Sequence, residues 1–286
     1  MTGSGIDERL AASVGSVTRG IHGGLRRLGI DVVRYRQPAP SRPTSPEISV
    51  ETTSSVAPAA PAGVPPGQIK EWRRVTAFLR NLDIDLVIDV GANEGQYARG
   101  LRSCGYDGRI VSFEPVKAAY DVAAAHSRSD ARWEVENLAL GGNAGTSLIH
   151  VAANDAQSSS LLPMLARHEE AAPHAKYVDA QEVLVRRLDD ALPTPWLGST
   201  RAFLKIDTQG YESEVLLGAP QLLSGAVQGL QVELSLVPLY EEGPLYLDLI
   251  ELLATRGFRM AQVIPGFSDP VTGEMLQFDG VFVRAG

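Results

Sequence analysis

Residues 86–95 read Leu86-Val87-Ile88-Asp89-Val90-Gly91-Ala92-Asn93-Glu94-Gly95, so an apolar run leads directly into a glycine-rich turn. A short run rich in β-branched side chains predicts a buried strand, and the glycines after it predict a tight turn. Open α/β sheets bind ligands at the carboxyl ends of their strands, where glycine lets the backbone approach a ligand closely. The stretch therefore predicts an α/β fold and the position of a ligand site within it.

Strand and helix patterns alternate from residue 71 onward, which is typical of a largely parallel sheet. We expect helices at 71–81, 116–127 and 244–256, and strands at 86–90, 109–113, 132–139, 146–152, 182–188, 202–207, 230–235, 258–264 and 278–284. The turn-rich connection 269–273 predicts that the last two strands form an antiparallel hairpin. The predicted fold is thus a mostly parallel, doubly wound α/β sheet that ends in an antiparallel hairpin.

Two N-terminal segments differ from this domain, which we place at residues 68–286. Within residues 1–36, apolar side chains recur at helical spacing from Leu10 to Leu28, and six arginines surround them. This basic amphipathic segment, at residues 9–36, is expected either to make peripheral contact with an anionic membrane surface or to dock on protein. Residues 37–67 contain eight prolines and predict an extended linker.

Composition excludes several classes of protein. A formal net charge of −8 argues against a nucleic-acid binder. The single cysteine, Cys104, rules out an intramolecular disulfide and a cysteine-rich zinc site. With no apolar run of about 18 residues and no secretory h-region, we expect a cytoplasmic protein, with membrane association only through residues 9–36.

Carboxylates near the glycine turn indicate the kind of ligand. The turn lacks the Gly-x-Gly-x-x-Gly pattern that offers bare amides to a pyrophosphate, and Asp89 suits an amine-bearing cation. Glu114 lies 25 residues later in Phe113-Glu114-Pro115, where a carboxylate at a strand end accepts both ribose hydroxyls. Together the two acids favour a nucleoside without phosphates. The structural alternatives are a turn acceptor for Asp89 and a helix N-terminal charge for Glu114.

A third group of candidates lies in Asn137-Leu138-Ala139-Leu140. We expect these residues to end the third strand, where an adenine ring would lie. Leu138 or Ala139 would pack on the ring and Asn137 would read its edge, although an ordinary strand end explains the same residues.

These motifs resemble the FkbM family of methyltransferases, and the resemblance extends from about residue 70 to the C-terminus. The matching stretches are Val87-Ile88-Asp89-Val90-Gly91-Ala92-Asn93-Glu94-Gly95-Gln96-Tyr97, Phe113-Glu114-Pro115, Leu204-Lys205-Ile206-Asp207-Thr208-Gln209-Gly210-Tyr211-Glu212, Val215-Leu216-Leu217-Gly218-Ala219 and Asp279-Gly280-Val281-Phe282-Val283-Arg284. Thr208 stands where the family usually has a small aliphatic residue.

The resemblance implies a Rossmann-like class I methyltransferase that uses S-adenosyl-L-methionine to methylate a hydroxyl, typically of a sugar in a glycolipid, a cell-surface glycan or a natural product. The implied cofactor-binding residues are Asp89, Gly91, Asn93, Gly95, Tyr97, Glu114, Pro115, Asn137, Leu138 and Ala139. Two alternatives are a nicotinamide-dependent oxidoreductase, which would need phosphate-binding glycines, and a non-catalytic protein that retains the nucleoside site.

Acidic residues at later strand ends are candidates for catalysis, because methyl transfer to oxygen needs alignment and removal of a proton. Asp207 follows one strand, Glu233 lies in the next, and Glu212 begins the helix between them. Asp207 and Glu212 would otherwise cap that helix. A magnesium ion held by Asp207 and Glu233 is a further, less favoured expectation.

Two other features bear on the acceptor. The polar segment 154–160 suits a lid or an acceptor-binding loop, with a solvated loop as the alternative. His150, His168 and His174 are candidate proton acceptors, although a lone histidine is more often structural or exposed.

Overall fold

The computed structural model describes residues 66–192 and 200–285. The basic segment predicted at 1–36, and the predicted linker as far as residue 65, lie outside the described residues. The first helix begins at Pro66, five residues before its predicted start. In the described part of the chain, no helix is long and apolar enough to cross a membrane.

Ten strands and eight α-helices form the described structure. The strands are β1 (Leu86–Val90), β2 (Arg109–Phe113), β3 (Trp133–Glu136), β4 (Ala139–Leu140), β5 (Gly145–Ala152), β6 (Tyr177–Arg186), β7 (Ala202–Ile206), β8 (Val227–Ser235), β9 (Phe258–Pro265) and β10 (Gln277–Arg284). The helices are α1 (Pro66–Asn81), α2 (Gln96–Ser103), α3 (Lys117–Ser127), α4 (Ala166–Ala171), α5 (Leu188–Ala191), α6 (Glu212–Leu217), α7 (Pro220–Ser224) and α8 (Tyr246–Thr255).

Seven strands make the main sheet in the order β3-β2-β1-β7-β8-β10-β9. The pairs from β3 to β8 are parallel, whereas β10 pairs antiparallel with both β8 and β9. The predicted α/β sheet with an antiparallel hairpin at its end is therefore confirmed. Because the strand order reverses between β1 and β7, a crevice opens at their carboxyl ends.

Side chains along each strand point alternately to the two faces of the main sheet, so the interior has two apolar layers. Leu86, Ile88 and Val90 of β1 pack in the core formed with α6, α7 and α8. Val87 faces the opposite core, which α1 and α2 cover. Since side chains of a strand alternate, Asp89 lies on the face of Val87, and this position decides its contacts.

A second, three-stranded sheet has the order β4-β6-β5, and β5 and β6 pair antiparallel. It corrects the expectation that residues 137–140 end the third strand. That strand stops at Glu136, and Ala139–Leu140 pairs with β6 instead. The segment between β5 and α4 therefore extends from the small sheet over the carboxyl edge of the main sheet.

Candidate functional site

A cavity of about 570 Å³ opens at the carboxyl ends of β1, β2 and β7. Its wall combines the glycine turn, apolar side chains and the segment after β5. The lining residues are Val90, Gly91, Asn93, Phe113, Glu114, Pro115, Leu138, Ala139, Leu140, Ile149, Ala156, Gln157, Ser159, Ser160, Leu161, Asp207, Thr208, Gln209 and Tyr211. We call it the strand-end cavity.

Gly91 makes the floor of this cavity possible. It has a φ of +74°, and a Cβ atom on it would lie 1.8 Å from the backbone oxygen of Asp207. Any side chain would thus push β1 and β7 apart at the site. Two residues on, Asn93 also has a positive φ, and its Nδ2 donates a 2.8 Å hydrogen bond to the backbone oxygen of Asp155. The turn is thereby tied to the segment that closes the cavity.

Glu114 is an almost fully buried acid on the cavity wall. Its Oε2 accepts a 2.7 Å hydrogen bond from the backbone N–H of Asn93, and Oε1 accepts one of 2.8 Å from that of Val116. Burial raises the pKa of Glu114 to about 7, against the opposing effect of these two N–H groups. The carboxylate is fixed in position and titrates near neutral pH.

Asp89 does not line the strand-end cavity. The sheet register places it beside Ser112 of β2 and Lys205 of β7. Its Oδ2 accepts a hydrogen bond from Ser112 Oγ at 3.1 Å, and its Oδ1 lies 3.3 Å from Lys205 Nζ. The carboxylate is completely buried, and burial raises its pKa despite Lys205 and Ser112. Its nearest partners are therefore protein groups, and direct contact with a ligand stays a prediction.

Lys205 joins this buried acid to the rest of the site. Besides Asp89, its Nζ donates to the backbone oxygen of Gly91 at 2.9 Å and lies 3.7 Å from Asp207 Oδ2. Burial alone would lower the pKa of Lys205, but the surrounding carboxylates more than offset this and raise it. The lysine is therefore charged, and it braces the glycine turn against Asp207.

The other predicted cofactor residues fall into two groups. Pro115, Leu138 and Ala139 line the strand-end cavity, as Gly91, Asn93 and Glu114 do. Gly95, Tyr97 and Asn137 do not line this cavity. A Cβ on Gly95 would meet the Trp133 ring at 2.7 Å, and Tyr97 Oη donates to Gln231. Asn137 Nδ2 donates to the backbone oxygens of Glu114 and Pro115. This second group supports the wall from behind.

A second cavity, of about 580 Å³, adjoins the first. Eight of its ten lining residues carry polar or titratable side chains: Asn154, Gln157, Ser158, His168, His174, Gln209, Glu233 and Gln277. The other two are Ala172 and Phe267. Gln157 and Gln209 line both cavities, so the two spaces meet at these side chains. We call it the polar cavity.

Gln209 connects the two predicted acids at this junction. Its Nε2 donates to Asp207 Oδ1 at 2.8 Å and to Glu233 Oε2 at 2.9 Å, and its Oε1 accepts from Tyr240 Oη at 2.6 Å. The residue has a φ of +55°, and Ser160 Oγ donates to its backbone oxygen at 2.7 Å. An amide N–H₂ group therefore lies between the two carboxylates that were expected to hold a metal ion.

The donor set does not fit a magnesium site. Magnesium binds oxygen ligands, whereas the group between Asp207 and Glu233 is an N–H donor. Across residues 66–192 and 200–285, no group of three or more His, Cys, Asp or Glu side chains could hold a metal ion.

Glu233 is the predicted acid that lines the polar cavity. Its Oε2 accepts hydrogen bonds from Gln209 and, at 2.7 Å, from Gln277 Nε2, while Oε1 has no partner among the described residues. Burial, followed by the negative charges of Asp207, Glu212 and Asp279, holds the pKa of Glu233 well above its ordinary range. A carboxyl group with a raised pKa is a better proton acceptor near neutral pH.

Glu212, the third predicted catalytic acid, lines neither cavity. Its Oε1 accepts hydrogen bonds from the backbone N–H groups of Thr208 and Gly210 and from Thr208 Oγ1. Those amides precede α6, so Glu212 fixes the loop that carries Gln209 rather than capping the helix. Asp207 does not cap the helix either, since its carboxylate contacts Gln209 and Lys205.

The sequence reasoning missed Gln209 and Gln277 as site residues. Gln209 belongs to a quoted motif, but nothing in a single sequence says that its amide lies between Asp207 and Glu233. The segment 154–160 was singled out, and it borders both cavities. His168 and His174 line the polar cavity, whereas His150 stacks on Tyr177 outside it.

Comparison with known proteins assigns a family model to this region. The model described as a methyltransferase FkbM domain matches residues 89–260. No curated protein matches the chain.

Among solved structures, the chain is similar to magnesium protoporphyrin IX methyltransferase (ChlM) from Synechocystis PCC 6803 with bound SAM, at 15% identity and a TM-score of 0.42, covering 77% of this chain and 80% of that one. It is also similar to an rRNA methylase from Streptococcus thermophilus, at 12% identity and a TM-score of 0.41, covering 74% and 96%. At this distance the likeness carries nothing about the acceptor.

Proposed function

Because the chain belongs to the FkbM family of methyltransferases, we propose that it transfers a methyl group to a hydroxyl of a sugar bound in the polar cavity. The single observation that carries the proposal is the junction of the two cavities at Gln209, with Glu233 on the acceptor side. The fold is that of the Rossmann-like class I methyltransferases.

The cofactor is S-adenosylmethionine, and we propose that the strand-end cavity binds it. Gly91 lets β1 and β7 approach closely at the edge of the cavity, Glu114 offers a fixed carboxylate for ribose hydroxyls, and Leu138 and Ala139 supply an apolar wall for a base. The sulfonium of S-adenosylmethionine supplies an electrophilic methyl group, and methylation of a hydroxyl releases one proton.

Glu233 is proposed to take that proton. Its Oε1 is the carboxylate atom without a partner in residues 66–192 and 200–285, and its raised pKa suits a general base. Gln209 and Gln277 hold the other oxygen and fix the carboxylate, while Asp207 holds Gln209 from the opposite side. Glu212 and Lys205 position the loop and Asp207 without contacting the acceptor.

A polar acceptor matches the side chains that line the polar cavity. Side-chain amides, hydroxyls and imidazoles both donate and accept hydrogen bonds, as sugar hydroxyls do. Whether the sugar belongs to a glycolipid, a glycan or a natural product, and whether residues 9–36 bring the enzyme to a membrane, stay predictions.

The test is methylation of a panel of methyl glycosides by the full chain with S-adenosylmethionine carrying a labelled methyl group. We expect product with one added methyl on oxygen and equimolar S-adenosylhomocysteine. Glu233→Gln should reduce turnover by about 10²- to 10⁴-fold, the usual contribution of a general base, and leave S-adenosylhomocysteine affinity within about twofold.

The matched control is Glu134→Gln, because Glu134 is an exposed acid on β3 that lines neither cavity. Wild-type protein that methylates no glycoside, or Glu233→Gln with turnover equal to that of Glu134→Gln, would refute the proposal.

A further inference from the structure

His168 is a buried histidine that the proposed chemistry leaves without a role. It lies in α4, is 2% exposed and forms part of the wall of the polar cavity. Its ring centroid is 5.2 Å from that of Tyr240, edge to face, and 5.3 Å from that of Phe267. Two aromatic neighbours thus fix the imidazole, and one of them, Tyr240, also holds Gln209.

The imidazole has no hydrogen-bond partner within the described residues, and its Nδ1 is completely buried. A buried polar atom without a partner destabilises the folded protein, because it has lost its hydrogen bonds to water. Such atoms in native proteins point to water, an ion or a ligand. Here the unpartnered group borders a cavity large enough for a ligand, and Glu233 lines that cavity too.

The charge state of His168 limits which ligand groups it can bind. Burial lowers the pKa of His168 to about 4; the charge of Glu169 opposes this and that of His174 adds to it. A neutral imidazole has one N–H donor and one acceptor nitrogen. A hydroxyl satisfies either nitrogen, whereas a carboxylate or phosphate would be repelled by the negative charge of Glu233 in the same cavity.

We propose that His168 binds a second hydroxyl of an uncharged, polyhydroxylated acceptor whose reactive hydroxyl faces Glu233. The inference rests on the proposed function for the identity of the reactive hydroxyl. It adds that the acceptor is neutral, that it carries at least two hydroxyls, and that the histidine is a specificity-determining residue.

Binding is tested on the full chain with ¹⁵N-labelled histidine and saturating S-adenosylhomocysteine. The probes are methyl α-D-glucopyranoside, methyl α-D-mannopyranoside and methyl α-L-rhamnopyranoside, with the monohydric 3-hydroxytetrahydropyran as the matched control. We expect the glycosides to shift the ring ¹⁵N resonances of His168, and the monohydric probe to leave them in place. His126, exposed on α3, should not respond to any probe.

The variant test uses His168→Phe, which keeps an aromatic ring between Tyr240 and Phe267 and removes both nitrogens. Loss of one neutral hydrogen bond corresponds to about a 5- to 10-fold rise in the KM of the best glycoside, with a smaller change in kcat. His168→Gln, which restores a donor and an acceptor, should recover part of this loss. S-adenosylhomocysteine affinity should not change in either variant.

The outcomes separate this inference from the proposed function. Glycosides that shift His168 but are not methylated would support the binding role and refute the methyl transfer. Glycosides that are methylated with equal KM by wild type and His168→Phe would refute the binding role alone. Unmoved His168 resonances with every glycoside, or tighter binding of glucose 6-phosphate or methyl glucosaminide, would overturn the inference even if the variant does not fold.

Discussion

The strand-end cavity and the polar cavity meet at Gln157 and Gln209, but they are built differently. The first is built around a glycine turn and adjacent strand ends, to which one buried carboxylate, apolar side chains and the segment after β5 are added. The second is shaped by side chains from segments far apart in the chain, from Asn154 to Gln277. A site made by backbone geometry leaves a contiguous motif in the sequence, whereas a site made by converging side chains does not.

The largest effect is expected from a substitution that distorts the backbone of the strand-end cavity. Gly91→Ala would place a Cβ 1.8 Å from the backbone oxygen of Asp207, so β1 and β7 must separate at the turn. A displacement of about 1 Å in a binding site is enough for a loss of roughly 100-fold. We expect calorimetry to show S-adenosylhomocysteine affinity reduced by at least that factor.

Gly273→Ala is the matched control for Gly91→Ala. Gly273 has the same φ, +74°, yet a Cβ there meets nothing within 4 Å. It should carry only the penalty of the left-handed backbone, about 1–2 kcal/mol, with cofactor affinity unchanged. Equal affinities in the two variants would show that close approach of the strands is not required.

An intermediate effect is expected at the junction. Gln209→Met removes the N–H₂ group between Asp207 and Glu233 while keeping a side chain of similar length. We expect kcat to fall by about 10- to 100-fold, because the carboxylates lose their alignment, with at most about a threefold change in cofactor affinity.

Gln228→Met serves as the control for Gln209→Met, since Gln228 also donates through its amide but lies outside both cavities. A larger loss of cofactor affinity than of kcat would assign Gln209 to the strand-end cavity rather than to catalysis.

The smallest effect concerns pH. With a pKa of about 7, Glu114 is mostly ionised at pH 8 and mostly protonated at pH 6. Ribose hydroxyls donate to the ionised form, so cofactor affinity should fall by about tenfold between pH 8 and pH 6. Glu114→Gln should bind weakly at both values.

Glu212 separates this effect from general titration of the fold. Burial also raises the pKa of Glu212 to about 7, but the residue lines neither cavity. Glu212→Gln should therefore keep the wild-type pH profile of cofactor affinity. A flattened profile in this variant would show that Glu212, and not Glu114, causes the pH dependence.

The sequence was sufficient where local pattern determines structure. The limits of β1 and β2 were predicted to the residue, because a short apolar run bounded by polar turns has only one place to lie. The third strand was predicted too long, since Leu138 and Ala139 are as apolar as a strand needs, but the strand stops at Glu136 and Ala139 pairs with β6. Pairing between distant segments has no local signal.

The same distinction separates the site residues. Gly91 and Glu114 could be placed from their motifs, whereas Asp89 requires the strand alternation and register that put it opposite Lys205. The contacts of Gln209 and His168 come from segments that are distant in the sequence and meet only in the folded protein. The role of Gln209 follows from its hydrogen bonds to two carboxylates, and that of His168 from its buried nitrogen without a partner in the described residues.

The segment 154–160 has one consequence for how this enzyme could change its acceptor. Asn154 and Ser158 line the polar cavity, Ala156, Ser159 and Ser160 line the strand-end cavity, and Gln157 lines both. Asn93 and Gln209 anchor the segment at two points. Exchange of the whole segment between relatives would therefore disturb both substrates at once. Altered acceptor range is more accessible through single replacements at Asn154, Ser158 or His168, which leave every anchor to the cofactor turn in place.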